Sequence, residues 1–254
     1  MSAIILLERT FDKTPRQTSK TFMVAVQKDF SRYDRKLEFI LRTAARIFAE
    51  KGYHSTSMRD ISRETGVSLA GLYYYCQSKD ELLFLIQDNC FGRVLERLEG
   101  RLTETHDPVE RLRLLIENHL SFFAANMAEM KVLSHEADSL AGEMHEKVSG
   151  KKQQYTQVVR RALADVAESR TEKDRRPVDL TIATFALFGM MNWIYNWYDP
   201  QGAMGVSDLV ENIARLFLSG FLGEACDEEL NFSNPAEHEP FHMWRGTKIE
   251  SMNT

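Results

Sequence analysis

Three helix starts crowd the stretch SMRDISRETGVSLAGLYYYCQSKDELL, Ser57 to Leu83, and they constrain the fold more than any other feature of the chain. Ser57 with Asp60 three residues on has the pattern of a capping box, in which a hydroxyl and a carboxylate satisfy each other's backbone amides. Met58 and Ile61 point inward from this helix, and Gly66 supplies its stop. Val67 fills the turn, Ser68 opens a second short helix, and Ser78 with Glu81 starts a third, longer one. Two short helices joined by a tight turn containing glycine form a helix-turn-helix unit. Upstream, Leu37, Ile40, Leu41, Ala44, Ile47 and Phe48 recur at helical spacing, with Glu38, Arg42, Arg46 and Glu50 opposite and Gly52 as the stop.

The second short helix carries Tyr73, Tyr74 and Tyr75 in a row. Successive helical residues point about 100° apart, so one core cannot take all three. A wheel started at Leu69 groups Leu72, Tyr73 and Cys76 with it as a core stripe. Tyr74 then shares the outward face with Ala70 and Gly71. Small residues let a helix approach base edges closely, and alanine can meet a thymine methyl. Tyr75 flanks this face, where its hydroxyl can reach a phosphate. Lys79, at the mouth of the next helix, adds a charged phosphate donor.

Charge supports this placement. Up to Lys79 the chain carries fourteen Lys and Arg against eight Asp and Glu, although its overall net charge is −5. A positive field on the segment with the helix-turn-helix suits a polyanionic partner.

AARIFAEKGYHSTSMRDIS followed by TGVSLAGLYYYCQSKDELL resembles the DNA-binding domain of the TetR family of bacterial transcriptional regulators over about the whole of that domain. The resemblance implies that Ser57 and Arg59 open a helix anchored on phosphates, and that Ser68, Leu69, Ala70, Gly71, Tyr73, Tyr74, Tyr75 and Lys79 occupy positions facing DNA. Leu69 and Gly71 stand where members often carry polar side chains, which implies few direct base hydrogen bonds. Cys76 replaces the usual phenylalanine. The expected domains are a flexible basic arm over 1–32, a helix-turn-helix domain over 33–79, a helical effector and dimerisation domain over 80–224, and a flexible tail over 225–254.

Beyond Lys79 the pattern is helical throughout, so the chain is expected to be all-α. Asp107-Pro108 with Glu110 starts a helix whose stripe is Leu112, Leu115, Ile116, His119, Leu120 and Phe123. Another covers about 128–140, and a long one about 142–167 turns Tyr155, Val158, Val159, Ala162 and Val166 inward. A charged loop over 169–176 precedes a helix started by Pro177. IATFALFGMMNWIYNWY, Ile182 to Tyr198, carries no charge and is apolar on every side. Such a helix is either buried all round or spans a membrane, and this one is too short and too rich in Asn and Gly to span. One face then meets the subunit's own core and the other a second copy. Ile194, Trp197 and Tyr198, with Ile213 and Phe217 from a final amphipathic helix, are the expected dimer contacts. A two-fold dimer sets its reading heads about 34–36 Å apart on a pseudo-palindromic operator.

FALFGMMNWIYNWYDPQG resembles the TetR subgroup that responds to acyl-coenzyme A thioesters and controls fatty-acid or steroid catabolism. That implies a repressor released by its ligand, with the helix starting at Ser78 as the lever. Phe185, Phe188, Met191 and Trp193 would line an acyl tunnel, Asn192 would hydrogen-bond the thioester or pantetheine, and Arg160, Arg161, Lys151 and Lys152 would meet the coenzyme's phosphates. A drug-efflux repressor sensing a lipophilic drug is the alternative. A helical metalloenzyme built on His119, His135, Glu136, Asp138 and His145 is the remote one, since none of the motifs of such sites is present. No cofactor and no metal is expected. Cys76, Cys90 and Cys226 lack ligand spacing and suit a reducing cytoplasm, and the apolar run Ala3 to Leu7 is too short for a signal peptide.

Overall fold

The computed structural model describes residues 18–103, 105–169 and 179–222, with backbone alone over 18–31. Within these residues the protein is all-α. In chain order the helices are α1 Thr18–Lys51, α2 Met58–Thr65, α3 Leu69–Tyr75, α4 Lys79–Leu102, α5 Pro108–Ala124, α6 Met127–His135, α7 Gly142–Ser169, α8 Leu180–Asn192 and α9 Val206–Leu222. A single 3₁₀ turn, Trp193–Asn196, follows α8.

Local chemistry accounts for most of these boundaries. α1 has no Gly or Pro from Thr18 to Lys51 and stops at Gly52, whose φ of 85° is one that side-chain-bearing residues rarely adopt. The expected flexible arm over 1–32 is therefore already helix from Thr18: its basic and polar composition obscured the lack of any helix breaker. Residues 1–17 and the tail over 225–254 lie outside the described residues, as do Pro177 and nearly all of the charged loop. α8 starts from Asp179, whose carboxylate accepts from the amides of Thr181 and Ile182.

The capping box on α2 is complete. Ser57 Oγ accepts from the Asp60 amide at 3.2 Å, and the Asp60 carboxylate accepts from the Ser57 amide at 3.0 Å. Those bonds from Ser57, followed by Arg63, hold the Asp60 carboxyl down at about 2. Ser68 caps α3 and Ser78 caps α4, each worth about 1 kcal/mol. Two expected boxes close differently. Glu81 reaches the Gln77 amide rather than that of Ser78, and Glu110 turns away from Asp107 to pair with Arg113.

Two apolar cores result, and their boundary is not the chain position expected at 79–80. The larger core takes α5, α7, α8, α9 and the C-terminal half of α4. The smaller gathers Ile40, Ala44, Ile47, Ile61 and Leu72 of the helix-turn-helix around Leu82, Leu83 and Ile86 of α4. It also takes Val132 of α6, Leu140, and Val148 of α7. Polar contacts tighten the same joint: buried Gln87 donates to the Glu136 carbonyl at 3.0 Å, and Lys151 of α7 pairs with Asp88 of α4 at 2.5 Å.

Candidate nucleic-acid interface and effector cavity

α3 is short enough that one fully buried residue sets its phase, and that residue is Leu72. Centred there, the wheel puts Leu69 and Cys76 on one flank of the core and Tyr75 on the other, with Tyr73 at about 100° and Tyr74 at about 200°. The structure follows this phase. Tyr74 is 73% exposed and Tyr73 48% exposed, while Tyr75 is half-buried against the small core. The expected burial of Tyr73 and Tyr75 is therefore exchanged, because Leu69, the origin of the sequence wheel, is only half-buried.

Tyr75 is held by a residue that the sequence pattern did not single out. Tyr33 of α1 stacks on it with ring centroids 4.8 Å apart and meets Tyr74 edge-on at 5.9 Å. Gly71 has a local reason to be small: a Cβ there would stand 3.0 Å from Val67 Cγ1 and 3.1 Å from Ser68 Oγ. Its size therefore says nothing about groove approach. Ala70, Ser57, Arg59 and Ser68 are exposed on the same head. Lys79 is half-buried, donates to the Tyr53 carbonyl at 2.9 Å and lies over the Tyr53 ring. That anchor joins the start of α4 to the α1–α2 loop and leaves part of the ammonium's donor capacity unused.

The larger core encloses a cavity of about 350 Å³, with walls from α4 (Phe91), α5 (His119, Phe123), α6 (Met130, Leu133), α7 (Tyr155, Lys152) and α8 (Phe185, Phe188, Asn192). A larger cleft, about 450 Å³, lies between α1 and α4–α6. Asp34, Glu38, Arg42, Arg93 and Glu129 line it with charges of both signs, which disfavours an apolar guest.

Of the expected effector residues, Phe185, Phe188 and Asn192 meet at the cavity. Met191 is fully buried in the core and Trp193 faces solvent. Arg160 and Arg161 are exposed on α7 without lining it; the Arg160 charge acts instead on Asp179 at the cap of α8. Lys151 is committed to Asp88, whereas Lys152 lines the cavity and has no ion-pair partner among the described residues.

His119 and Tyr155 are two cavity residues that the acyl-tunnel expectation did not include. Each is a polar ring at a core position of an otherwise apolar stripe, and that anomaly was the available signal. His119 Nδ1 lies 2.9 Å from the Tyr155 hydroxyl, and His119 Nε2 is buried without a hydrogen-bond partner. If Nδ1 carried the proton, the Tyr155 hydrogen and the Nε2 lone pair would both be unmatched. If Tyr155 donates to Nδ1, a single Nε2–H is left over, so the second tautomer is favoured. Burial pushes the imidazole pKa down to about 3; the nearby Asn192 amide opposes that shift without reaching hydrogen-bonding geometry. An unfolded His119 titrates near 6.5. Between these values only the unfolded chain takes the proton, so stability falls as the pH drops from about 6.5 towards 3 and is unaffected by this group above 6.5. Urea midpoints measured across that window should slope less steeply in His119→Gln than in the parent protein; equal slopes would refute the assignment.

The expected dimer residues divide as well. Ala183, Leu187, Met191, Ile194 and Tyr198 form one buried stripe, and Ile213 and Phe217 of α9 are likewise taken into the subunit's own core. Ile194, Tyr198, Ile213 and Phe217 are thus core residues. A helix apolar on all sides has no charged face to set which stripe turns inward, so the sequence could not choose. The face left exposed carries Ile182, Phe185, Trp193 and Trp197, with Leu216 exposed on α9.

Comparison with known proteins places this geometry. Residues 40–86 match the model of the bacterial regulatory proteins of the tetR family, and residues 105–221 match the tetracyclin repressor-like C-terminal domain. PfmR of Thermus thermophilus, a TetR family transcriptional regulator, is 31% identical with a TM-score of 0.63, over 70% of this chain and 96% of that one. The chain belongs to the TetR family. TetR-family members are DNA-binding transcriptional regulators rather than enzymes, and they bind operator DNA as homodimers under small-molecule effectors. Among other TetR relatives, the fatty acid metabolism regulator protein of Bacillus subtilis (strain 168) is 24% identical over 184 residues, covering 71% of this chain and 93% of that protein. AibR, crystallised with isovaleryl coenzyme A and operator DNA, is 29% identical with a TM-score of 0.63, over 71% of this chain and 97% of that one. Among the described residues of this TetR protein no helix is long and apolar enough to cross a membrane.

Proposed function

We propose that this TetR-family protein is a homodimeric repressor released from a pseudo-palindromic operator when an acyl-coenzyme A thioester enters the cavity between α4 and α8. The observation that carries the reading is a mostly apolar cavity in whose wall His119 Nε2 is buried without a hydrogen-bond partner. A buried donor left unpaired costs about 1–3 kcal/mol, and a thioester carbonyl relieves that cost. Phe185, Phe188 and Phe123 surround the acyl chain, Asn192 serves the neighbouring amide of the coenzyme arm, and Lys152 meets a phosphate. Ligand pockets span roughly 300–1,000 Å³; this one, at about 350 Å³, suits a short acyl chain with most of the coenzyme outside. The fatty-acid regulator and the coenzyme-bound AibR among the relatives agree with this choice.

On the DNA side, Tyr74 leads from the exposed face of α3 with Ala70 and Leu69. Ser57, Arg59, Ser68, Tyr73 and Lys79 contact phosphates around it. Release runs through α6 as well as α4. Met130, Leu133 and Ser134 face the cavity, while Val132 is buried in the core of the reading head. A ligand that displaces α6 therefore moves the head, provided that it binds the two head spacings with different affinity.

A lipophilic cation, the guest of a drug-efflux repressor, is disfavoured by the walls: among the described residues no Asp or Glu lines the cavity. Titrating short-chain acyl-coenzyme A esters and lipophilic cations against the protein–operator complex in a gel shift separates the two readings. The expected result is release by micromolar acyl thioester alone. Release by cations alone would replace the acyl reading with the efflux one.

A further inference from the structure

α1 carries a second charged surface beside the reading helix, just outside the segment that matches the family's DNA-binding domain. Arg32, Arg35 and Lys36 stand three and four residues apart, which places them on one helical face. With Tyr75 they line a shallow surface depression. Arg32 and Arg35 are exposed, and no carboxylate pairs with either among the described residues. Of the acids whose side chains are described here, Asp34 and Glu38 line the cleft towards α4, where Glu38 engages Arg42 and Arg93. Lys36 rests over the Phe39 ring, 4.9 Å from its centroid, so its stem is supported while its charge stays at the surface.

What fixes this face in position is aromatic. Tyr33, between the cations, is stacked on Tyr75 at 28° between ring planes and edge-on to Tyr74. The cations are thereby coupled to the outward side of α3 rather than carried on an independent arm. Neighbouring cations with no carboxylate partner among the described residues repel one another and set up a positive field that attracts a polyanion.

We propose that Arg32, Arg35 and Lys36, registered by the Tyr33–Tyr75 stack, grip the phosphate backbone of DNA flanking the bases faced by α3. Each head of the dimer contributes one such grip, extending the footprint outward from the operator. The element fixes affinity and salt dependence without reading sequence, because phosphates carry no base information.

The test uses the full-length protein and a duplex that it selects from a random library, prepared with and without about six extra base pairs at each end. Added flanks should tighten wild-type binding about tenfold or more. R32A/R35A/K36A should lose that gain and flatten the slope of log affinity against log salt by about 0.9 for each phosphate contact removed. Its preference among sequences and its thermal melting should not change. Tyr33→Ala should lose part of the flank gain and Tyr33→Phe should retain it, since only the ring is needed for stacking. A triple variant that keeps both the flank gain and the wild-type salt slope would overturn the proposal. Loss of sequence preference in that variant would also overturn it, by making these residues part of base readout.

Discussion

Tyr74→Ala should weaken operator binding about 30- to 150-fold while leaving the thermal midpoint within a few degrees of wild type. The ring is 73% exposed, and its only ring neighbours among the described residues are Tyr33 and Tyr75 at the surface. The folded state loses little when it is removed, because exposed substitutions are usually worth no more than about half a kcal/mol. On DNA the same ring counts twice, once per head of the dimer. A loss of roughly 1–1.5 kcal/mol at each head doubles to about 2–3 kcal/mol, which is the stated range. Binding by fluorescence anisotropy and melting by calorimetry decide the matter together. An unfolded variant, or one with unchanged affinity, would take Tyr74 off the DNA face.

The second large effect belongs to the exposed apolar face of α8 and α9. Ile182→Glu combined with Leu216→Glu should turn the dimer into a monomer with normal helix content, since the two side chains are 69% and 68% exposed in the subunit. Desolvating a carboxylate at the centre of an apolar contact is costly. Operator affinity should then fall by about 10²–10⁴, the factor by which tethering one head raises the local concentration of the second. Sedimentation and a gel shift on the same preparation measure both quantities. A double variant that stays dimeric would move the interface away from this face.

Much of the reading head was legible from sequence because its determinants are local. Ser57, Ser68 and Ser78 each announce a helix start through a side chain that bonds within three residues, as Asp107 does for α5 beyond the head. What depends on phase was less legible. Starting the α3 wheel at half-buried Leu69 instead of Leu72 exchanged Tyr73 and Tyr75. On α8, with apolar residues all round, periodicity located the helix but not its inward stripe, so Ile194 and Tyr198 just beyond it were assigned to the partner, as were Ile213 and Phe217 of α9. Tertiary pairings were not legible as pairings: Tyr33 and Tyr75 lie on separate helices, and although His119 and Tyr155 each stand out in an apolar stripe, nothing local says that their bond joins α5 to α7. Phe188 and Asn192 could be placed at the cavity because they fall on the flank of α8 between its buried and exposed faces.

Val132, Leu140 and Val148 complete the small core although they follow α5 in the chain. The DNA-reading segment therefore does not end where its motif ends. A chimera made by joining residues up to Leu102 to a foreign sensing body would leave the small core without Val132, Leu140 and Val148. New operator specificity can evolve on the exposed side of α3 without touching this joint, but new effector specificity reaches α6, where one helix answers to both cores. The two specificities of this regulator are inherited unequally: the first is free to drift, and the second is held to the architecture of the head it controls.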